Sequence, residues 1–200
     1  MVQLFQQHFL EKKTFHLNET GMKATSSTLF NSSSNFYPFE LIETNHIRRV
    51  FKFDKFYAGI SLISLLIVIR SIVAILAGDS RFYEPLLFVA GGFLLIFGTW
   101  TMLSKKHVLI IPVDSMGEFE MFDKNPSEMD TKSFLDKLKQ KQHKYLRTRY
   151  AVINPDHPQV EQLWNLDMLV LKEVITNKEY QQLRSKLLDN KTVVKGFSKD

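Results

Sequence analysis

Six histidines could ligate a metal or move protons: His8, His16, His46, His107, His143 and His157. They are scattered without metal-ligand spacing. No H-E-x-x-H is present to set two imidazoles one helical turn apart, and no histidine joins a carboxylate cluster. The chain has no cysteine, which excludes disulfides, thiolate metal sites and thiol nucleophiles. No serine occupies a G-x-S-x-G elbow, and no Gly-rich loop could cradle a phosphate. Asp114, Glu118 and Glu120 come closest to a carboxylate pair, but on a turn and an exposed strand face they read as solvated charge. The expectation is a protein that is not an enzyme and needs neither metal nor cofactor.

Binding chemistry is better represented. The segment TKSFLDKLKQKQHKYLRTRY (131–150) sets Phe134, Leu135, Leu138 and Tyr145 along one helical face, with basic residues around the rest. Lys137, Lys141, Lys144 and Arg147 are its candidates for anionic-lipid contact, at about 1 kcal/mol per basic residue near a charged surface. The competing reading is an ordinary solvated face on a helix packed against a sheet. Over the whole chain 26 basic residues face 21 acidic ones, a net charge of +5. That excess is diffuse and lacks a base-stacking aromatic platform, so nucleic acid is not an expected partner.

One cation lies in a very different setting. Arg70 is the only charge in AGISLISLLIVIRSIVAILA (58–77), and PLLFVAGGFLLIFGTWTML (85–103) has none. At about 1.5 Å per residue, each segment spans a hydrocarbon core of roughly 30 Å. A central arginine costs about 2.5–3.5 kcal/mol on insertion, while each Leu, Ile or Val returns about 0.3–0.6, and the first segment holds about a dozen of those three. A transmembrane hairpin is therefore expected. Arg70 either snorkels toward, or pairs within the hairpin with, Asp79 and Glu84, or it makes a polar contact with a partner helix or lines an ion path.

Arg48, Arg49, Lys52 and Lys55 precede the first span, and Lys105 and Lys106 follow the second, which places both termini in the cytoplasm. Tyr57, Tyr83 and Trp100 sit where interfacial aromatics belong. Gly91, Gly92 and Gly98 are candidates for close helix packing. Met1–Thr28 contains no apolar run, so no signal peptide is expected, and the sequons at Asn18 and Asn31 read as chance.

Around the hairpin the pattern is mostly that of strands. Met1–Glu11 suggests a short helix, with Leu4, Phe5, His8 and Phe9 on one face. Lys13–Leu17, Met22–Leu29, NFYPFELIE and HIRRVFKF read as about four strands, with turns at Asn18–Gly21 and Asn31–Asn35. HVLIIPV and EFEMF follow the hairpin, separated by a turn at Asp114–Gly117. Because the hairpin returns the chain to where it left, the two strand sets are expected to rejoin as one sheet. This order of strands closed by a helix, together with the PFELIE segment, resembles bacterial pleckstrin-homology-like (PH-like) domains over roughly 10–150.

Pro155 and Pro158 break the chain, and VEQLWNLDMLVLKEVITNKEYQQLRSKLL follows as two short helices. Thr176 and Glu179 have the spacing of a capping box. The spaced leucines, Ile175-Thr176, Glu179-Tyr180 and Lys186-Leu187-Leu188 resemble the short C-terminal (SHOCT) helical hairpin of many bacterial proteins. That family's turn glycine is replaced by Glu173, so altered backbone angles are expected there. The resemblance implies an oligomerisation or interaction module, with Leu166, Leu169, Tyr180, Leu183 and Leu187 as the contact residues.

The expected fold is thus an α+β membrane protein. Residues 1–55 and 105–150 make an antiparallel β (PH-like) domain, interrupted by the hairpin at 56–104. A linker (151–159), the helical hairpin (160–189) and a tail (190–200) follow. The expected role is a membrane-anchored cytoplasmic interaction protein of a bacterial inner membrane, touching lipid and a protein partner or a second copy. The alternative is an accessory subunit of a larger transport or secretion complex.

Overall fold

The computed structural model describes residues 2–78, 80–154 and 156–189. In chain order the elements are β1 (Val2–His8), β2 (Glu11–Leu17), β3 (Gly21–Ser27), β4 (Ser32–Pro38), β5 (Arg48–Lys52), α1 (Lys55–Leu76), α2 (Ser80–Leu103), β6 (Lys106–Val113), β7 (Gly117–Phe122), α3 (Glu128–Tyr150), α4 (Gln159–Leu171) and α5 (Asn177–Asp189). The chain divides into two compact units, one of residues 1–48 with 109–200 and one of residues 49–108.

Strands β1 to β4 form an antiparallel meander in sequence order, and β5, β6 and β7 form a three-stranded sheet. The stretch expected as an N-terminal helix is strand β1. Its inward positions are Leu4 and Gln6, while Phe5 points outward. A glutamine at a core position hides the two-residue period. Gln6 is nevertheless satisfied: its amide donates to the Phe122 carbonyl at 2.7 Å and to that of Asn125, and it accepts from the Phe122 N–H at 2.9 Å.

Asn18 N–H closes the β2–β3 turn on the Gly21 carbonyl at 2.8 Å. A Cβ at Gly21 would meet the Tyr37 carbonyl at 2.4 Å and the Phe36 ring at 2.6 Å, so only glycine fits. The serine cluster expected as a turn is mostly strand β4, paired Ser27 to Ser32 through Gly21 to Pro38. The actual turn lies one step earlier, where Thr28 N–H reaches the Asn31 carbonyl at 2.7 Å.

Two sheets form rather than the single one expected. The connection after β4 turns inward, burying Phe39 and Ile42 completely. Its backbone then bonds to the end of β6, Glu43 N–H to the Pro112 carbonyl at 3.0 Å and Asp114 N–H to the Leu41 carbonyl at 2.8 Å. Those bonds occupy groups that would otherwise extend β4 into β5.

Helix α3 covers this core. Ser127 caps its start, and Thr131, Phe134, Leu138, Gln142 and Leu146 recur at three- and four-residue spacing on the buried face. Of these, Phe134 and Leu138 join a core that includes Phe15, Leu17, Met22, Phe39, Ile111 and Met121. A second core gathers Leu146, Leu166, Leu169, Val174 and Ile175 where α3, α4 and α5 meet.

In the unit of residues 49–108, Asp54 caps α1 by accepting from the backbone of Phe56 and Tyr57. Helices α1 and α2 lie side by side. Both are long and apolar enough to cross a membrane, and only 11% and 6% of their apolar windows are buried. A core helix of a water-soluble protein would be mostly covered. These are not.

Candidate functional site

Among the described residues no group of three or more His, Asp or Glu could hold a metal ion. The notable concavity is instead electropositive. A cleft of about 580 Å³ lies between the β2–β3 turn and the C-terminal half of α3, lined by Asn18, Glu19, Lys141, Lys144, Tyr145, Thr148 and Arg149. The helical period brings the α3 members together, because residues 141, 144–145 and 148–149 fall on one stripe.

Each cation in the cleft is held differently. Among the described residues, Lys141 Nζ reaches the Leu17 carbonyl at 3.5 Å and makes no ion pair. Lys144 is exposed and makes no ion pair with a described residue. Arg149 donates to the Tyr145 hydroxyl at 2.9 Å and lies over the Tyr145 and Tyr150 rings, 5.8 and 5.6 Å from their centroids. Tyr145 in turn donates to Glu40 at 2.7 Å, as does Tyr150 at 3.2 Å. Burial, then hydrogen bonding to and the charge of Glu40, raise the pKa of Tyr145. Burial and the Glu40 charge do the same for Tyr150. Both phenols therefore stay protonated at neutral pH and keep donating. The relay fixes the guanidinium without a described carboxylate directly on it, leaving further donors of its planar fork for a ligand.

The structure divides the basic residues picked out on this helix. Lys141 and Lys144 share the cleft. Lys137 lines a separate depression with Gln3, Pro126, Asp130 and Ser133. Arg147 is paired with Glu179 at 2.5 Å, and Lys139 with Glu173 at 3.2 Å and Asn45 at 2.9 Å. Arg149 belongs to the same basic helix without being one of its four named lipid candidates, and Thr148 was not singled out at all. Their spacing from Lys141 and Lys144 was the signal available for them, whereas Asn18 enters only through tertiary packing.

Arg70 lies exposed on α1 and makes no ion pair with a described residue, and Glu84 is likewise exposed. Asp79, its other suggested partner, lies outside the described residues, as do Pro155 and the tail 190–200. Gly98 approaches α1 closely, since its Cβ position is 3.4 Å from Ser61 Oγ, while Gly91 and Gly92 face open space. The buried positions of the pair include Ser64, Ser71 and Ala90, and Ser71 Oγ donates to the Ile67 carbonyl at 2.8 Å. Tyr57 stacks on Phe97 at 5.7 Å and meets Trp100 at 5.4 Å.

In the helical hairpin, the contact residues suggested from sequence are largely spoken for. Leu166, Leu169 and Leu187 are buried within the chain itself, and Tyr180 and Leu183 pack on the second core. The exposed apolar residues of α4 are Val160, Trp164 and Leu171. Thr176 and Glu179 do form the reciprocal cap: Thr176 N–H donates to Glu179 Oε2 at 2.9 Å, and Glu179 N–H to Thr176 Oγ1 at 3.2 Å. The turn before it corrects the expectation for Glu173. That residue keeps a left-handed backbone, φ 56°, as a glycine would, and its carboxylate pairs with Lys139.

Compared with known proteins, the chain matches no family model, no curated protein and no solved structure.

Proposed function

We propose that the protein is a membrane-anchored cytoplasmic interaction platform without catalytic activity. The observation that carries this reading is the apolar surface of α1 and α2, left uncovered by the rest of the chain. Uncovered apolar area of that extent calls for a bilayer. The flanking cations Arg48, Arg49, Lys52, Lys55, Lys105 and Lys106 favour both termini inside a bacterial plasma membrane. A four-stranded and a three-stranded antiparallel sheet followed by α3 support a PH-like platform. The capping box and left-handed turn of the α4–α5 hairpin support a SHOCT-like contact module.

Because the chain has no cysteine, single-cysteine labelling tests orientation directly. A membrane-impermeant maleimide on intact cells should modify Tyr83→Cys and leave Ser115→Cys unmodified until the cells are opened. The reverse pattern would overturn the orientation, and recovery of the chain in the soluble fraction would overturn the anchoring.

A second reading, an accessory subunit of a larger membrane assembly, is favoured by Arg70, exposed on α1 with no described counter-ion. Native mass spectrometry of the mildly extracted protein separates the two. A second polypeptide that is lost with Arg70→Leu would establish the accessory role.

A further inference from the structure

We infer that the cleft between the β2–β3 turn and α3 binds a phosphomonoester dianion, with Lys141, Lys144 and Arg149 as its cationic ligands and Asn18 and Thr148 as neutral donors. This deepens the platform reading and rests on it only for the anchoring of the chain in a bilayer.

The donor set is the first reason. Three cations line one concavity, and no described carboxylate pairs with Lys141 or Lys144. Two point charges and one planar fork suit a group with three acceptor oxygens better than a carboxylate with two. Preorganisation is the second. Arg149 is held by the Tyr145 hydroxyl and two aromatic faces, so little side-chain freedom remains to be lost when an anion arrives. The third is room: about 580 Å³ exceeds a bare phosphate and lies within the usual range for small-ligand sites. Glu19 lines the same cleft and opposes the anion, so it sets the affinity below what the cations alone would give.

The phosphomonoester could be a lipid headgroup or a soluble metabolite, and the two sources separate experimentally. The full chain is placed in nanodiscs of phosphatidylcholine alone, of phosphatidylcholine with phosphatidic acid, or of phosphatidylcholine with soluble glycerol phosphate added. Amine acetylation is then followed residue by residue by mass spectrometry. Protection of Lys141 and Lys144, with Lys132 and Lys137 unchanged, is expected in at least one phosphate arm. Protection by phosphatidic acid alone assigns a lipid source, and protection by glycerol phosphate a soluble one.

Arg149→Gln should weaken the protecting ligand about tenfold, as expected for one charge-assisted contact, and Glu19→Gln should strengthen it. No protection in either arm, or equal protection at Lys132 and Lys137, overturns the site. Failure of the chain to enter the discs would instead count against the anchoring.

Discussion

Helices α1, α2 and α3 are nearly equal in length, at 22, 24 and 23 residues, yet their surfaces are inverted. Helix α3 hides Phe134, Leu138 and Leu146 and shows its lysines and arginines. Helix α1 hides Ser64 and Ser71 and shows leucine, isoleucine and valine along most of its length. Length and helical geometry are common to both, so they decide nothing about environment. What differs is which residues the chain can cover by itself. Helix α3 has a sheet to cover its apolar stripe, whereas α1 and α2 are apolar around most of their circumference and can hide only the seam between them.

The largest expected contrast comes from truncating a leucine on each. Leu138 is fully buried, and Leu138→Ala should cost about 2–5 kcal/mol of folding stability. Leu66→Ala, at a position 59% exposed on α1, should leave the melting temperature in detergent nearly unchanged. Equal losses would mean that α1 packs as a core helix. Arg70→Leu sharpens the comparison from the opposite side. It should favour membrane insertion by about 3 kcal/mol, read as the inserted fraction in a translocation assay. An unchanged fraction would show that Arg70 already has a compensating partner in the membrane.

Smaller effects probe the α3–α4–α5 corner. Glu173 holds a left-handed backbone that costs a non-glycine residue about 1 kcal/mol, and its pairing with Lys139 is exposed, hence weak. Glu173→Gly should therefore raise stability slightly, and a lower melting temperature would show that the ion pair outweighs the backbone strain. His143 gives the smallest effect. Burial chiefly, with the Lys139 charge, lowers its pKa below 6.5, and Glu173 opposes them; its Nε2 is buried without a described hydrogen-bond partner. The unfolded chain therefore binds the proton more readily. Stability is full above pH 6.5 and declines as the pH falls below that value toward the folded pKa. His143→Gln should flatten that decline in a series of melting temperatures against pH.

The apolar helices, the β6 and β7 strands and α3 were legible because their patterns are carried by long runs of a few residue types. β1 was not, since Gln6 occupies a core position and the backbone groups of Phe122 and Asn125, far along the chain, make a polar residue tolerable there. The serines of β4 read as turn residues for the same reason. Paired to Ser26 and Thr25 of β3 and pointing outward, Ser33 and Ser34 need no apolar character to be strand. Half of the cleft was visible as basic residues on a helix. Its other half was not, because no local pattern brings Asn18 and Glu19 to α3.

The sequence by itself determined that two helices are long and apolar enough to cross a membrane, that thiol chemistry is impossible, and that an amphipathic helix must cover a sheet. These follow from composition and period, which act locally. Tertiary structure alone decided that the strands split into two sheets, because the chain after β4 spends its backbone bonds on β6. It also decided which cations are free to act. Arg147 and Lys139 are paired by α5 and the α4–α5 turn, while Lys141, Lys144 and Arg149 are left facing one cleft. Whether a charge is available depends on its neighbours in space, and those are set only when distant segments meet.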